Sequence, residues 1–142
     1  MSADLVDAIA RERFETEWQQ NFAVSANAGS GKTTAISKRL AAMAMDADGR
    51  AVLGQMAVVT YTNKAAAEIE QRAREVLLKK LAAMPHPDWA ALEALDGAFF
   101  GTIHSFCLQL AQVHGQTVGV NLNPTLVAGE DPGGWGRFLT DE

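Results

Sequence analysis

Between Ala26 and Thr33 the chain reads Ala26-Asn27-Ala28-Gly29-Ser30-Gly31-Lys32-Thr33. These residue types suit the binding of a phosphorylated ligand. Glycine puts no Cβ between backbone and anion, so the N–H groups around Gly29 and Gly31 can turn toward one point. A helix opening near Lys32 adds free N–H groups and the positive end of its dipole. Lys32 can reach the β- and γ-phosphates of a nucleotide as a mobile point charge, and the Thr33 hydroxyl is a ligand for Mg²⁺. The strict pattern for such a loop is GxxxxGK[ST]; Ala26 stands at its first glycine and the remainder is intact. The spacing predicts a nucleoside triphosphate held by residues 26–33, with Lys32 acting on the reacting phosphates and Thr33 on the metal. Taken alone, the run also reads as a glycine-rich turn with a solvated lysine.

Two further segments, Tyr61-Thr62-Asn63-Lys64 and Thr102-Ile103-His104, each stand at the end of an apolar run. Taken alone, Tyr61 reads as a half-buried strand-end aromatic, Thr62-Asn63 as a helix cap and His104 as a structural histidine. Cys107 reads as a small core residue, and Trp18, Trp89 and Trp135 as packing groups.

Elements that position these groups follow from periodicity. Ala8 to Gln20 is a charged helical stretch, and Asn21 to Ala26 (NFAVSA) is an apolar run that suits a buried strand. A helix is predicted over Lys32 to about Met45, with Ile36, Leu40 and Met43 inward and Asp46-Ala47-Asp48-Gly49 ending it. Met56 to Thr60 suits a second strand. A long helix then runs to about Met84, with Ile69, Ala73, Val76, Leu77 and Leu81 as its inner stripe. Pro85-His86-Pro87 breaks the chain; Asp88 to Leu95 suits a short helix and Ala98 to Thr102 a third strand. Thr102 or His104 opens a last helix with Ile103, Phe106, Leu110 and Val113 inward, stopped by Gly115; Gly129 to Gly136 is loop-like. Strands alternating with helices predict a parallel α/β sheet.

Bulk properties bound the rest. The 142 residues leave room for one domain with a core, and 48% hydrophobic with 20% charged residues is an ordinary globular balance. No run of about 18 apolar residues suits a membrane span, and Met1 to Ala10 has no basic start of a secretory signal. The single cysteine excludes an intramolecular disulfide and a cysteine-rich zinc site, and fits a reducing, cytoplasmic setting. A formal net charge of −5 gives no global basic footprint, so nucleic-acid binding has to come from local groups.

The three segments together resemble a family. Val58-Val59-Thr60-Tyr61-Thr62-Asn63-Lys64-Ala65-Ala66-Ala67-Glu68-Ile69 resembles motif Ia of superfamily 1 DNA helicases, usually written TFTNKAAxEM. Gly101-Thr102-Ile103-His104-Ser105-Phe106-Cys107 resembles their next motif, GTFHSFC. With the SANAGSGKT loop they stand in the family's order over roughly residues 10 to 130. The likeness is to the UvrD-like group, and the helical insert and Phe-Cys ending are most similar to its AddA/RecB branch.

The resemblance implies a RecA-like P-loop fold, a three-layer parallel α/β sandwich with an incomplete sheet. It implies ATP and Mg²⁺ as cofactors and single-stranded DNA as partner. A nuclease or recombination subunit is a further implied partner, and no membrane is involved. Tyr61, Thr62, Asn63, Lys64, Thr102 and His104 would line the DNA groove. The Tyr61 ring could stack on a base, worth about 1–3 kcal/mol. Thr62, Asn63 and the helix after them suit a backbone phosphate, Lys64 adds a positive charge, and Thr102 and His104 could touch the same strand. Residues 1–115 would be part of motor domain 1A, and 116–142 the start of accessory domain 1B. The implied function is the ATP- and DNA-binding portion of a DNA repair helicase; the alternative is a nucleotide- or DNA-binding module without turnover.

Two departures from the family pattern matter. Ungapped counting back from Asn21 puts Arg11 where the family has a glutamine that reads adenine, so nucleotides other than ATP stay open. Hydrolysis in the family needs an apolar strand followed by Asp-Glu. Leu126 to Asp131 carries its acids reversed with Pro132 next, and Phe138 to Glu142 has only two apolar residues before Asp141-Glu142. The expectation is an N-terminal piece of a helicase that does not turn over ATP alone and is marginally stable.

Overall fold

The computed structural model describes residues 3–25, 27 and 29–119. The chain divides into two compact units between Phe106 and Cys107. In the first, helix α1 (Ala3–Thr16) precedes α2 (Lys32–Met45), α3 (Ala47–Leu53), strand β1 (Ala57–Thr60), α4 (Asn63–Ala82), α5 (Ala90–Asp96) and β2 (Phe99–Thr102). Helix α6 (Ile103–His114) begins in the first unit. Its remainder and a 3-10 turn (Gly115–Val118) are the described part of the second.

The core forms where α2 and α4 bring their apolar stripes together. Leu40 and Met43 of α2, Leu53 of α3, Ala73, Leu77 and Leu81 of α4 and Leu95 of α5 are buried in one cluster. Ile36 and Val76 pack against its edge. The Ser37 hydroxyl, also buried, donates to the Ile69 carbonyl at 3.3 Å and ties α2 to α4. Both helix stripes are those expected from the 3.6-residue period.

β1 and β2 pair in parallel, with Ala57 beside Phe99 and Thr60 beside Thr102. This register brings the carboxyl ends of both strands to one edge. Val58 packs against the core, whereas Val59, on the opposite side of the pleat, is exposed. Gly101 is needed beside the Phe99 ring: a Cβ there would lie 2.6 Å from Phe99 Cζ. That ring in turn packs on Phe106, 5.4 Å between centroids.

Four expectations need correction. Residues 21–25 form no strand; Val24 is 56% exposed. An apolar run becomes a strand only when another strand completes its hydrogen bonds, and the sheet of the described residues contains β1 and β2 alone. Asp46-Ala47-Asp48-Gly49 does not simply end α2: the Asp46 carboxylate accepts the Gly49 N–H at 2.8 Å and starts α3. The inward stripe of α6 is not buried, since Ile103, Leu110 and Val113 are all exposed. Cys107 is exposed rather than a core residue.

Among the described residues no helix is long and apolar enough to cross a membrane. The carboxyl-terminal segments weighed as metal-holding strands, Leu126–Asp131 and Phe138–Glu142, lie outside the described residues.

Candidate functional site

The loop before α2 is shaped by its glycines. Gly29 and Gly31 have φ of +77° and +85°, in the left-handed region that L side chains avoid. Gly31 is the N-cap of α2 and makes no side-chain cap, so the first turn keeps N–H groups available to an anion. The Ser30 N–H bonds the Asn27 carbonyl at 3.3 Å, closing the turn. Lys32 Nζ donates to that same carbonyl at 2.7 Å, which holds the ammonium over the loop. Ser30 Oγ is buried with no hydrogen-bond partner among the described residues. A hydroxyl in that state has a donor to give to a phosphate oxygen. Thr33 follows Lys32 in the first turn of α2. Ala26 and Ala28, also expected in the loop, lie outside the described residues.

These features fit a nucleoside triphosphate with its metal. Gly29 to Thr33 would hold the phosphates, and Thr33 would offer its hydroxyl to Mg²⁺. Bound there, the metal would neutralise charge between the β- and γ-phosphates. No group of three or more His, Cys, Asp or Glu side chains that could hold a metal occurs among the described residues.

The loop opens into a cavity of about 530 Å³ walled by α1, residues 22–25 and the start of α2. Asp7, Arg11 and Phe14 of α1, Phe22 and Val24 of the connecting segment, and Lys32 line it. Arg11 Nε donates to Asp7 Oδ2 at 2.7 Å, and its Nη2 donates to the Ser30 carbonyl at 3.3 Å. Thus the Arg11 side chain pins α1 to the loop.

A residue that sequence reasoning missed fixes this wall. Arg39 of α2 donates to the carbonyls of Phe14, Glu17, Trp18 and Gln20. One of them, that of Phe14, lies in the last turn of α1, where the final carbonyls have no partner within the helix. Its guanidinium also lies over the rings of Phe14 and Phe22, 4.9 Å and 5.2 Å from their centroids. Burial holds its pKa below the ordinary arginine value, and it stays charged. One side chain on the helix that follows the loop therefore sets both α1 and the connecting segment. Nothing in its spacing marked it, because its acceptors are backbone atoms.

The groups expected to touch DNA lie elsewhere in the first unit. Tyr61 follows β1 and is fully exposed. The Thr60 hydroxyl donates to the Thr62 carbonyl at 2.8 Å, and Thr62 Oγ1 accepts the Ala65 N–H at 3.1 Å, capping α4. Asn63 and Lys64 occupy its exposed first turn. At the end of β2, Thr102 Oγ1 accepts the Ser105 N–H at 3.2 Å and opens α6. His104 is exposed beside it. The register of Thr60 with Thr102 puts both groups on one sheet edge, but none of them lines the cavity at the loop. Thr62 and Thr102 cap their helices as acceptors, a role that uses an oxygen lone pair and not the hydroxyl proton.

A glycine-bent loop feeding a helix, with its lysine drawn over the loop, and a parallel strand pair are consistent with a P-loop fold of the helicase kind, which the family of this chain implies. Residues 7–136 match the family described as UvrD/REP helicase N-terminal domain; the chain belongs to this family, as the N-terminal part of its AddA branch. It is 38% identical over 119 residues to an ATP-dependent helicase/nuclease subunit from Heliobacterium modesticaldum, covering 75% of this chain and 8% of that protein. The protein of the same description from Thermoanaerobacter sp. is 35% identical over 113 residues, 78% of this chain and 9% of the relative. That from Desulforamulus reducens is 39% identical over 92 residues, 63% and 7%. The chain thus spans less than a tenth of these relatives' length.

Proposed function

We propose that this chain is the ATP-binding and single-stranded-DNA-binding portion of an ATP-dependent DNA helicase or translocase acting in DNA repair and recombination. The observation that carries the reading is the loop itself: two left-handed glycines directly before α2, with Lys32 bonded across the turn. Gly29, Ser30 and Gly31 bind the phosphates through backbone N–H groups, Lys32 neutralises the β- and γ-oxygens, and Thr33 takes part in holding Mg²⁺. Tyr61 stacks on a base while Thr62, Asn63, Lys64, Thr102 and His104 contact the DNA backbone.

Helix α2 starts at the phosphate loop and α4 starts at Thr62, and the two pack together in the core. A shift of one ligand therefore reaches the other through a single helix pair. Residues 1–115 act as part of motor domain 1A and residues 116–142 as the start of domain 1B, within a three-layer parallel sandwich. The whole protein works in the cytoplasm with a nuclease or recombination subunit.

The DNA half of the proposal is tested at Tyr61. Replacing Tyr61 by Ala removes a stacking contact worth about 1–3 kcal/mol, so single-strand affinity falls roughly 5- to 150-fold. Fluorescence anisotropy of a labelled oligonucleotide reads this at several salt concentrations. The salt slope stays as in the parent chain because phosphate contacts are untouched. Equal affinity of the two chains at every salt concentration would remove Tyr61 from the DNA site.

A further inference from the structure

One side of the cavity at the phosphate loop is walled by backbone that no helix or strand orders. Residues 21–25 have no regular structure, yet Phe22 and Val24 line the cavity together with Phe14 of α1. What orders this wall is Arg39. Its Nη1 donates to the Phe14 and Glu17 carbonyls. Its Nη2 donates to those of Trp18, at 3.0 Å, and Gln20, at 3.2 Å. The guanidinium lies over both the Phe14 and Phe22 rings, which meet edge to face with centroids 5.6 Å apart and planes at 83°. One planar fork thus fixes the end of α1, the turn after it and both rings of the wall.

Arg39 does not itself line the cavity, so it acts on a bound molecule only through the groups it holds. It stands on α2 beyond Lys32, roughly 10 Å further along the helix axis at the ordinary rise per residue. A single helix therefore carries the phosphate loop at its start and the anchor of the wall two turns on. The span between the phosphate seat and the wall is set by that helix. We propose that Arg39 is a positioning residue of the nucleotide site, one that sets affinity for the nucleoside part of the ligand while the phosphates bind independently of it. The proposal rests on the reading of residues 29–33 as the triphosphate loop. Without the fork, Phe14 and Phe22 have to be ordered by the ligand as it arrives, and that entropy is lost from the binding free energy. A lysine at this position keeps the charge but has neither the plane nor the paired Nη groups, so it cannot serve four carbonyls and two rings together.

The test is calorimetric titration of the 142-residue chain with ATP and with inorganic tripolyphosphate, each with Mg²⁺. The chains compared are the parent, Arg39→Met, Arg39→Lys, Phe22→Ala and the Arg39→Met, Phe22→Ala double variant. The parent binds ATP more tightly than tripolyphosphate. Arg39→Met raises the Kd for ATP about tenfold, the scale of ordering two side chains on binding, and leaves that for tripolyphosphate within about twofold. Arg39→Lys falls between Arg39→Met and the parent. In the Phe22→Ala background Arg39→Met costs less than it does alone, because its effect runs through the ring. Should Arg39→Met not fold, Arg39→Lys decides by the same comparison of the two ligands. Equal weakening of ATP and tripolyphosphate would mean that Arg39 only holds the fold together, and overturns the proposal. An unchanged Kd for ATP overturns it too, as does a parent that binds ATP no more tightly than tripolyphosphate; both leave the loop in place. Failure of the parent to bind tripolyphosphate overturns the loop reading and this proposal with it.

Discussion

Replacing Lys32 by Ala is expected to weaken nucleoside-triphosphate binding by about 2–3 kcal/mol, the scale of charge-assisted hydrogen bonds from one cation. That is a roughly 30- to 150-fold rise in Kd. The effect is confined to binding, because Lys32 is exposed and its bond to the Asn27 carbonyl closes a loop rather than a core contact. Thermal unfolding of the variant should therefore match the parent closely. Fluorescence anisotropy of a ribose-labelled triphosphate analogue measures the loss. A labelled adenosine without phosphates provides the control, since Lys32 has nothing to neutralise there. A variant that binds the triphosphate as tightly as the parent contradicts a phosphate role for Lys32.

The second large effect is on stability. Leu77 is fully buried where α4 meets the α2 stripe, whereas its neighbour Leu78 is 41% exposed. Leu77→Ala removes buried methyl groups and leaves a cavity that helices on several sides cannot easily close, at a cost of about 2–5 kcal/mol. Set against a total stability of roughly 5–15 kcal/mol for a domain, this leaves a substantial unfolded fraction at warm temperatures. Leu78→Ala changes stability by less than about 0.5 kcal/mol, as surface substitutions do. Urea denaturation followed by circular dichroism compares the two midpoints. Equal midpoints, or a larger loss at Leu78, would mean that the α2–α4 pairing is not the core.

The sequence was most legible where one local rule decided the outcome. The bounds of α2 are those expected, Lys32 to Met45, because glycine at its start and an apolar stripe along it act within a few residues. The stripe of α4 was legible for the same reason, and its start at Asn63 follows from the Thr62 cap. The loop geometry was legible too: Gly29 and Gly31 adopt the left-handed angles that glycine permits at low cost.

What depended on distant partners was not. The NFAVSA run has strand composition, but composition does not supply a neighbour to complete the ladder, and among the described residues it has none. The α6 stripe has helical period, yet period does not say what covers it, and Leu110 and Val113 are exposed. Asp46 ends one helix and begins the next, since the same carboxylate that interrupts α2 accepts the N–H of Gly49. Arg39 could not be found by spacing, because it serves carbonyls 19 to 25 residues earlier in the chain. Arg11 stood out only as a departure from the family pattern; its bonds to Asp7 and Ser30 show what the departure touches.

The two groups of site residues also differ in how much local structure constrains them. The loop residues are bound to one another and open into a cavity. Tyr61 and His104 share a sheet edge through strand register and stand in solvent. On the proposed function, a nucleotide would meet loop residues already bonded to one another, while a DNA strand would meet side chains that must order on contact, which costs entropy.

The claim that everything else depends on is that residues 29–33 hold the phosphates of a nucleotide. Its most direct test is an amide chemical-shift titration of the isotope-labelled chain with ATP and Mg²⁺. The largest shifts are expected at the N–H groups of Gly29, Ser30, Gly31, Lys32 and Thr33, saturating together. If those five amides stay in place at saturating nucleotide, or the largest shifts fall on Tyr61 to Lys64 instead, the phosphate loop has been assigned to the wrong residues.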